Sequence, residues 1–305
     1  MVEFLRAEGI EEEILSEIEA FRRSCPVSED SRHRVPAPTI RYYGKEIWRQ
    51  ALIALLAGEN LLLVGPKATG KNVLAENLAA VFGRPEWNVS FYLNTDAASL
   101  IGTDTFRGGE VCFRKGPITR CAEEGGFGIL DEINMARNES LAVLHAALDF
   151  RRIIDVPGYD RITLSPCTRF IATMNYGYAG TRELNEALTS RFMVIKMPII
   201  AGGDLLRLLK AQFPRLKDEP AGQLCSLFGD IRAKCESAEI STKPLDLRGL
   251  TAALTLTEKG LALDRALELG LVNKSFDDFE RQLVSDIIAA RIPRGLGGAE
   301  LFERV

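Results

Sequence analysis

Residues 65–72 read GPKATGKN and fit the pattern G-x-x-x-x-G-K-[ST] at every position except the last. A polyphosphate needs many hydrogen-bond donors at close range. Successive backbone N–H groups of a glycine-bounded loop provide them, and a following helix adds the positive end of its dipole. Gly65 and Gly70 permit the loop path, with Pro66, Lys67, Ala68 and Thr69 between them. Lys71 would reach the β- and γ-phosphates, and Val73 completes the contacting set. Asn72 stands where the pattern has Ser or Thr. Its amide oxygen is a hard neutral ligand of the kind Mg²⁺ accepts, carried on a longer arm than a hydroxyl. The expectation is a site that still binds nucleotide, with metal affinity or turnover open to being lowered.

Two further groups could complete the chemistry. In GGFGILDEINMAR, residues 125–137, an apolar run ends in Asp131 and Glu132. Downstream of a phosphate loop, Asp131 would hold Mg²⁺ through water, and Glu132 would orient or deprotonate an attacking water. Alone, two acids after a strand usually mean a solvated strand end. In FIATMN, Asn175 directly follows another apolar run, where a polar side chain could position that water or read the γ-phosphate. Arg191 precedes the next apolar run, and a structural salt bridge is its plainest reading.

Elements must hold these residues in place. Short apolar runs at 61–64, 87–93, 127–130, 169–174 and 192–197 read as strands, alternating with helical segments such as 47–57 and 72–82. That alternation predicts an α/β fold, a parallel sheet flanked by helices. After Pro198 the periodicity is helical only, at 204–209, 223–233, 250–256 and 279–290. Residues 4–23 carry Ile10, Ile14, Ile18 and Phe21 on one face among glutamates, which suits a helix packed on the body or one that docks a partner. Residues 25–38 are polar and proline-bearing, a linker. The expected division is 1–40 for the helix and linker, 41–200 for the α/β domain and 201–305 for a smaller all-helical domain.

The 305 residues suffice for one large and one smaller core. A formal net charge of −4 sets up no global field for nucleic acid or anionic membrane. No apolar run approaches the roughly 18–20 residues that span a bilayer. The N-terminus is acidic and lacks the order of a secretory signal. The six cysteines include no C-x-x-C pair, which suggests reduced thiols in a cytoplasmic protein, without a disulfide framework or zinc site. With only His33 and His145, a histidine metal site is not expected.

The set GPKATGKN, LDEINMAR, ATMN, LNEALTSRF and LDLRGL resembles the AAA+ ATPases, and within them the MoxR-type group. The segment DAASLIGTDTFRGGEVCFRKGPITRCAEEGG looks like that group's insert between the second and third strands. The match covers about residues 43–256. The resemblance implies a P-loop NTPase sheet followed by a helical lid. It implies ATP and Mg²⁺ as cofactors, with Lys71 and its loop on ATP and Asp131 and Glu132 as the Walker B acids. It also implies Asn175 as sensor 1, Arg191 as an arginine finger reaching a neighbouring subunit's ATP, and Arg248 as the sensor 2 arginine of the lid. Asn72 departs from the family pattern. So does Lys67, which stands where a small residue is usual and is read as facing solvent.

Members of the family commonly form hexameric rings. MoxR-type proteins act as chaperones in maturing protein complexes, often beside a partner with a von Willebrand A-type domain. The resemblance therefore implies an ATP-hydrolysing remodeller of a protein client. Two hairpin-like segments, 105–115 turning at Gly108-Gly109 and 152–164 turning at Pro157-Gly158, would bring Phe106, Phe113 and Tyr159 to a client or bury them within the hairpins. Two alternatives stand beside it. One is an ATP-binding switch with little turnover, which Asn72 keeps open. The other is a nucleic-acid motor, which the net charge and the lack of a basic and aromatic stripe disfavour. No motif reads the base, so GTP stays open as well.

Overall fold

The computed structural model describes residues 1–156, 158–176 and 183–303. The chain divides into two compact units, Met1–Pro66 with Gly70–Pro198, and Lys67–Thr69 with Ile199 onward.

The first unit is built on a five-stranded sheet. Leu61–Val64 forms β1, and all four residues are buried. In a strand, successive side chains point to opposite faces. Leu61 and Leu63 therefore join one core cluster while Leu62 and Val64 join another. A strand buried on both faces reads as a continuous apolar run, which is why this one was legible. The other sheet strands are β2 (Glu86–Ser90), β5 (Phe127–Asp131), β8 (Arg169–Met174) and β9 (Met193–Lys196). Two two-stranded hairpins supply the strands between. The order across the sheet is β2-β5-β8-β1-β9, and every pairing is parallel. In register, Val64 lies opposite Met174, and Leu130 opposite Ala172. The chain thus leaves β1, β5 and β8 along one edge, at Gly65, Glu132 and Asn175.

Ahead of β1 come α1 (Val2–Ala7), α2 (Glu12–Ser24), α3 (Glu29–Arg32) and α4 (Lys45–Leu56). The single helix expected over 4–23 is two helices, because Gly9 turns the chain at φ +79°. Phe4, Leu5, Ile10, Leu15 and Ile18 are buried in the same cluster as Trp48, Leu52 and Phe82, so this face packs on the body. The stretch read as a linker is tied down. Ser28 caps α3, and the Glu86 N–H donates to Arg34 O at 3.0 Å.

The thiol expectation is corrected. Cys25 and Cys167 form a disulfide across 142 residues of sequence. The spacing of the cysteines carried no sign of it, because the partners meet only through the fold. Buried Arg84 holds the same place, donating to Gly125 O at 2.8 Å and to Cys25 O.

After β1, α5 (Lys71–Phe82) is buried along most of its length and ends at Gly83, left-handed at φ 62°. Between β2 and β5 lie α6 (Ala97–Ile101), the hairpin β3 (Gly102–Arg107) and β4 (Glu110–Lys115), and α7 (Pro117–Glu124). The hairpin turns at Gly108-Gly109, both at positive φ. After β5 come α8 (Asn138–Leu141), α9 (His145–Leu148) and a short hairpin of β6 (Ile153–Ile154) with β7 (Ile162–Thr163). The turn expected at Pro157-Gly158 includes Pro157, which lies outside the described residues. Helix α10 (Glu186–Thr189) precedes β9.

The second unit is helical, with α11 (Gly202–Gln212), α12 (Asp218–Glu236), α13 (Leu247–Glu258), α14 (Leu263–Gly270), α15 (Asp278–Arg291) and α16 (Gly298–Leu301). Its core includes Leu205, Leu224, Phe228, Leu254, Leu267 and Val284. Helices α13 and α14 meet through glycines. A Cβ on Gly249 would lie 2.0 Å from Gly270 O.

Candidate nucleotide site

The loop between β1 and α5 uses left-handed backbone at two places, Ala68 at φ 62° and Gly70 at φ 80°. Ala68 is a non-glycine residue in a region that L side chains rarely occupy. A Cβ on Gly70 would stand 3.1 Å from the Tyr42 ring, so glycine serves there both for conformation and for room. Tyr42 is itself fixed. Its N–H donates to Asn77 Oδ1 at 3.2 Å, and its carbonyl accepts from Trp48 Nε1 at 2.9 Å. Asn77, fully buried on α5, also donates to Ile40 O at 2.9 Å. The segment ahead of α4 is thereby bound to the helix that follows the loop. Sequence reading did not single out Tyr42 or Asn77.

Lys71 opens α5 and is 7% exposed. Its Nζ donates to Gly65 O at 2.8 Å and Pro66 O at 2.7 Å. Burial pushes its pKa down to about 8, against the opposing pull of Asp131 and Glu132. Asn72 is exposed on the first turn, Val73 is half-buried and Lys67 is exposed. Gly65 and Thr69 are buried, and Pro66 is half-buried.

The acids and the polar end of β8 interlock. Thr173, 1% exposed, donates its hydroxyl to Asp131 Oδ1 at 2.6 Å and accepts from the Glu132 N–H at 3.0 Å. Glu132 is left-handed at φ 54°. Asn175 Nδ2 donates to Glu132 Oε1 at 2.8 Å, and Asn134 Nδ2 donates to Asn175 O at 3.1 Å. The structure thus joins Asp131, Glu132 and Asn175 in one network and brings their charge to bear on Lys71. Thr173 and Asn134 were missed. The signal for Thr173 was a hydroxyl inside an apolar strand, two residues from Asn175.

Arg191 stands apart from that network. Its guanidinium donates to His145 O at 3.2 Å, to Asp149 Oδ2 at 3.4 Å and to Ala187 O. The Arg151 guanidinium, joined by Arg191, holds the Asp149 carboxyl down to about 2. The structural salt bridge read for Arg191 is present. Arg248 lies in the second unit, exposed in the first turn of α13, where Asp246 accepts its backbone N–H at 3.0 Å. Of the hairpin aromatics, Phe106 is 74% exposed. Phe113 and Tyr159 pack ring to ring at 5.0 Å, and the Tyr159 hydroxyl donates to Asp104 at 2.6 Å.

The donor set fits a nucleoside triphosphate. It has a loop of backbone N–H groups at a helix N-terminus, a buried ammonium, and two carboxylates where the chain leaves β5, with β8 lying between β5 and β1. Among the described residues, no group of three or more His, Cys, Asp or Glu could hold a metal ion by itself. Mg²⁺ is usually held by one or two carboxylates together with substrate phosphates and waters, and Asp131 and Glu132 are the carboxylates present here.

Comparison with known proteins agrees with this geometry. Residues 60–192 match the family model of the AAA domain, dynein-related subfamily. The chain is 33% identical to the uncharacterized protein YojN of Bacillus subtilis strain 168, over 92% of each chain. The chain belongs to the AAA+ family. A second relative of this AAA+ chain is the uncharacterized protein SH1500 of Staphylococcus haemolyticus, 32% identical over 80% of this chain and 95% of its own. Among solved structures, an ATPase candidate from Cytophaga hutchinsonii aligns with a TM-score of 0.45 at 20% identity. That alignment covers 69% of this chain and 59% of the other, and it adds nothing to the assignment. No helix among the described residues is long and apolar enough to cross a membrane.

Proposed function

We propose that this AAA+ protein binds ATP with Mg²⁺ and hydrolyses it, and that it acts as a MoxR-type chaperone on a protein client. The observation that carries the reading is the network of Asp131, Thr173, Glu132 and Asn175 beside a buried Lys71. Lys71 exchanges its two loop carbonyls for phosphate oxygens. Asp131 and the Asn72 amide oxygen are the groups that would hold Mg²⁺. Glu132 takes a proton from the attacking water, and Asn175 keeps that carboxylate aimed. Bound Mg²⁺ supplies neutralisation of charge on the phosphates. Arg191 gives up Asp149 to reach the nucleotide of a neighbouring subunit, and the part of Arg248 as a sensor 2 arginine rests on the sequence resemblance alone. A finger supplied from outside can be worth roughly 10³–10⁵ in rate, so turnover depends on assembly, with a hexameric ring as the expected form. Support for the MoxR-type assignment, for a client and for a von Willebrand A-type partner is the sequence resemblance alone.

Asn72 favours a second reading, an ATP-binding switch with little turnover. Mg²⁺-dependent ATP turnover per subunit, measured across protein concentrations, separates the two. Specific activity that climbs with concentration supports the hydrolytic ring. ATP binding with background turnover at every concentration supports the switch.

A further inference from the structure

We propose that Thr173 is a positioning residue of this site, whose single hydroxyl sets the Asp131 carboxylate and the Glu132 backbone together. The inference rests on the hydrolytic reading above and assigns a part of its machinery. Thr173 is almost wholly buried, and its hydroxyl is used in both directions. As donor it occupies Asp131 Oδ1 at 2.6 Å. That bond fixes one of the two carboxylate oxygens. As acceptor the hydroxyl takes the Glu132 N–H at 3.0 Å.

That second bond has a particular purpose. Glu132 is left-handed at φ 54°, a conformation a non-glycine residue keeps only when its surroundings over-determine it. Two side chains from the end of β8 hold it, in addition to the Met135 N–H that donates to its carbonyl at 2.8 Å. Thr173 holds the backbone, and Asn175 holds the side-chain carboxylate at 2.8 Å. Thr173 is the second-last residue of β8 and Asn175 the first beyond it, and both bond to Glu132, so they act on it as a pair. A valine has nearly the same shape and neither bond. The Glu132 N–H would lose its acceptor, and the Asp131 carboxylate would be free to turn.

The test uses the full chain with Thr173→Val, Thr173→Ser and, in case the valine form fails to fold, Thr173→Ala. The first readout needs no nucleotide: amide hydrogen exchange at Glu132, with Leu130 in β5 as internal reference. Exchange at Glu132 should speed up in the valine form and return toward wild type in the serine form. The second readout is steady-state ATP turnover. The valine form should lose about 10–100-fold in kcat, the range for groups that orient ligating side chains. Its KM should stay within about threefold, and serine should restore most of the rate. Unchanged Glu132 exchange in both the valine and alanine forms would overturn the proposal whatever the activity does. So would a valine form as fast as a wild type that turns over. A wild type with no turnover overturns the hydrolytic reading, and this inference falls with it. A loss confined to KM assigns Thr173 to nucleotide binding and also overturns the proposal.

Discussion

Lys71 shows how one residue carries both a cost and a use. Its ammonium is buried, so its pKa falls to about 8 from an unfolded value near 10.4. Below pH about 8 both states hold the proton. Between about 8 and 10.4 the unfolded chain binds more protons than the folded one, so stability rises with pH across that window. Denaturant midpoints from pH 7 to 10 should therefore climb in wild type relative to Lys71→Met. Parallel curves for the two proteins would show that burial does not shift this lysine. Lys71→Met should also abolish nucleotide binding. At Glu132 the expectation differs. Glu132→Gln keeps the volume and the left-handed turn but cannot accept a proton. It should lower turnover by roughly 10²–10⁴ while nucleotide binding stays near wild type. Equal losses in binding and turnover would count against Glu132 as the base.

At the scale of elements, two close contacts make sharp expectations. Buried Asn77 ties α5 to the chain ahead of α4 through the Tyr42 N–H and the Ile40 carbonyl. Asn77→Ala leaves both groups without this partner and should destabilise by about 1–3 kcal/mol, read by urea unfolding. In the helical unit, Gly249 and Gly270 let α13 and α14 touch backbone to backbone. A methyl at 249 must push the helices apart, so Gly249→Ala should cost about 1–3 kcal/mol. A neutral result there would mean that the helices have room to separate. These contacts also mark where sequence reading stops. The strands at 61–64 and 169–174 were legible residue for residue, since an apolar run buried on both faces needs no partner to be recognised. Helix α14 was not found. It is only eight residues long, and its glycine end reads as a turn.

At the scale of the whole molecule, the disulfide joins residues 142 positions apart. Cys25 sits just after α2, and Cys167 just before β8, so the bond fastens the N-terminal helices to the sheet. Removing it by Cys25→Ser with Cys167→Ser should lower stability by about 2–4 kcal/mol, read as a lower denaturant midpoint. An unchanged midpoint would mean that Arg84 and the buried face of α1 and α2 hold that region alone. The N-terminal segment, read as helix and linker, contributes to the first unit's core. Ile10 and Ile18 are buried in that core, while Ile14 and Phe21 are partly buried against it.

The sequence by itself determined the class of fold and the identity of the main polar residues of the candidate site. Glycine spacing, apolar run length and the placing of Asp131, Glu132 and Asn175 after strands are local properties. Local properties survive in one dimension. The tertiary structure alone decided how those residues meet. The order β2-β5-β8-β1-β9 puts the ends of β5 and β8 side by side, and only then does a buried threonine become the link between two acids. It also decided that Arg191 rests on Asp149 and that two distant cysteines join. Each of those depends on distances between residues far apart in the chain. Such distances are set when strands pair and helices pack, and no residue type or spacing encodes them by itself.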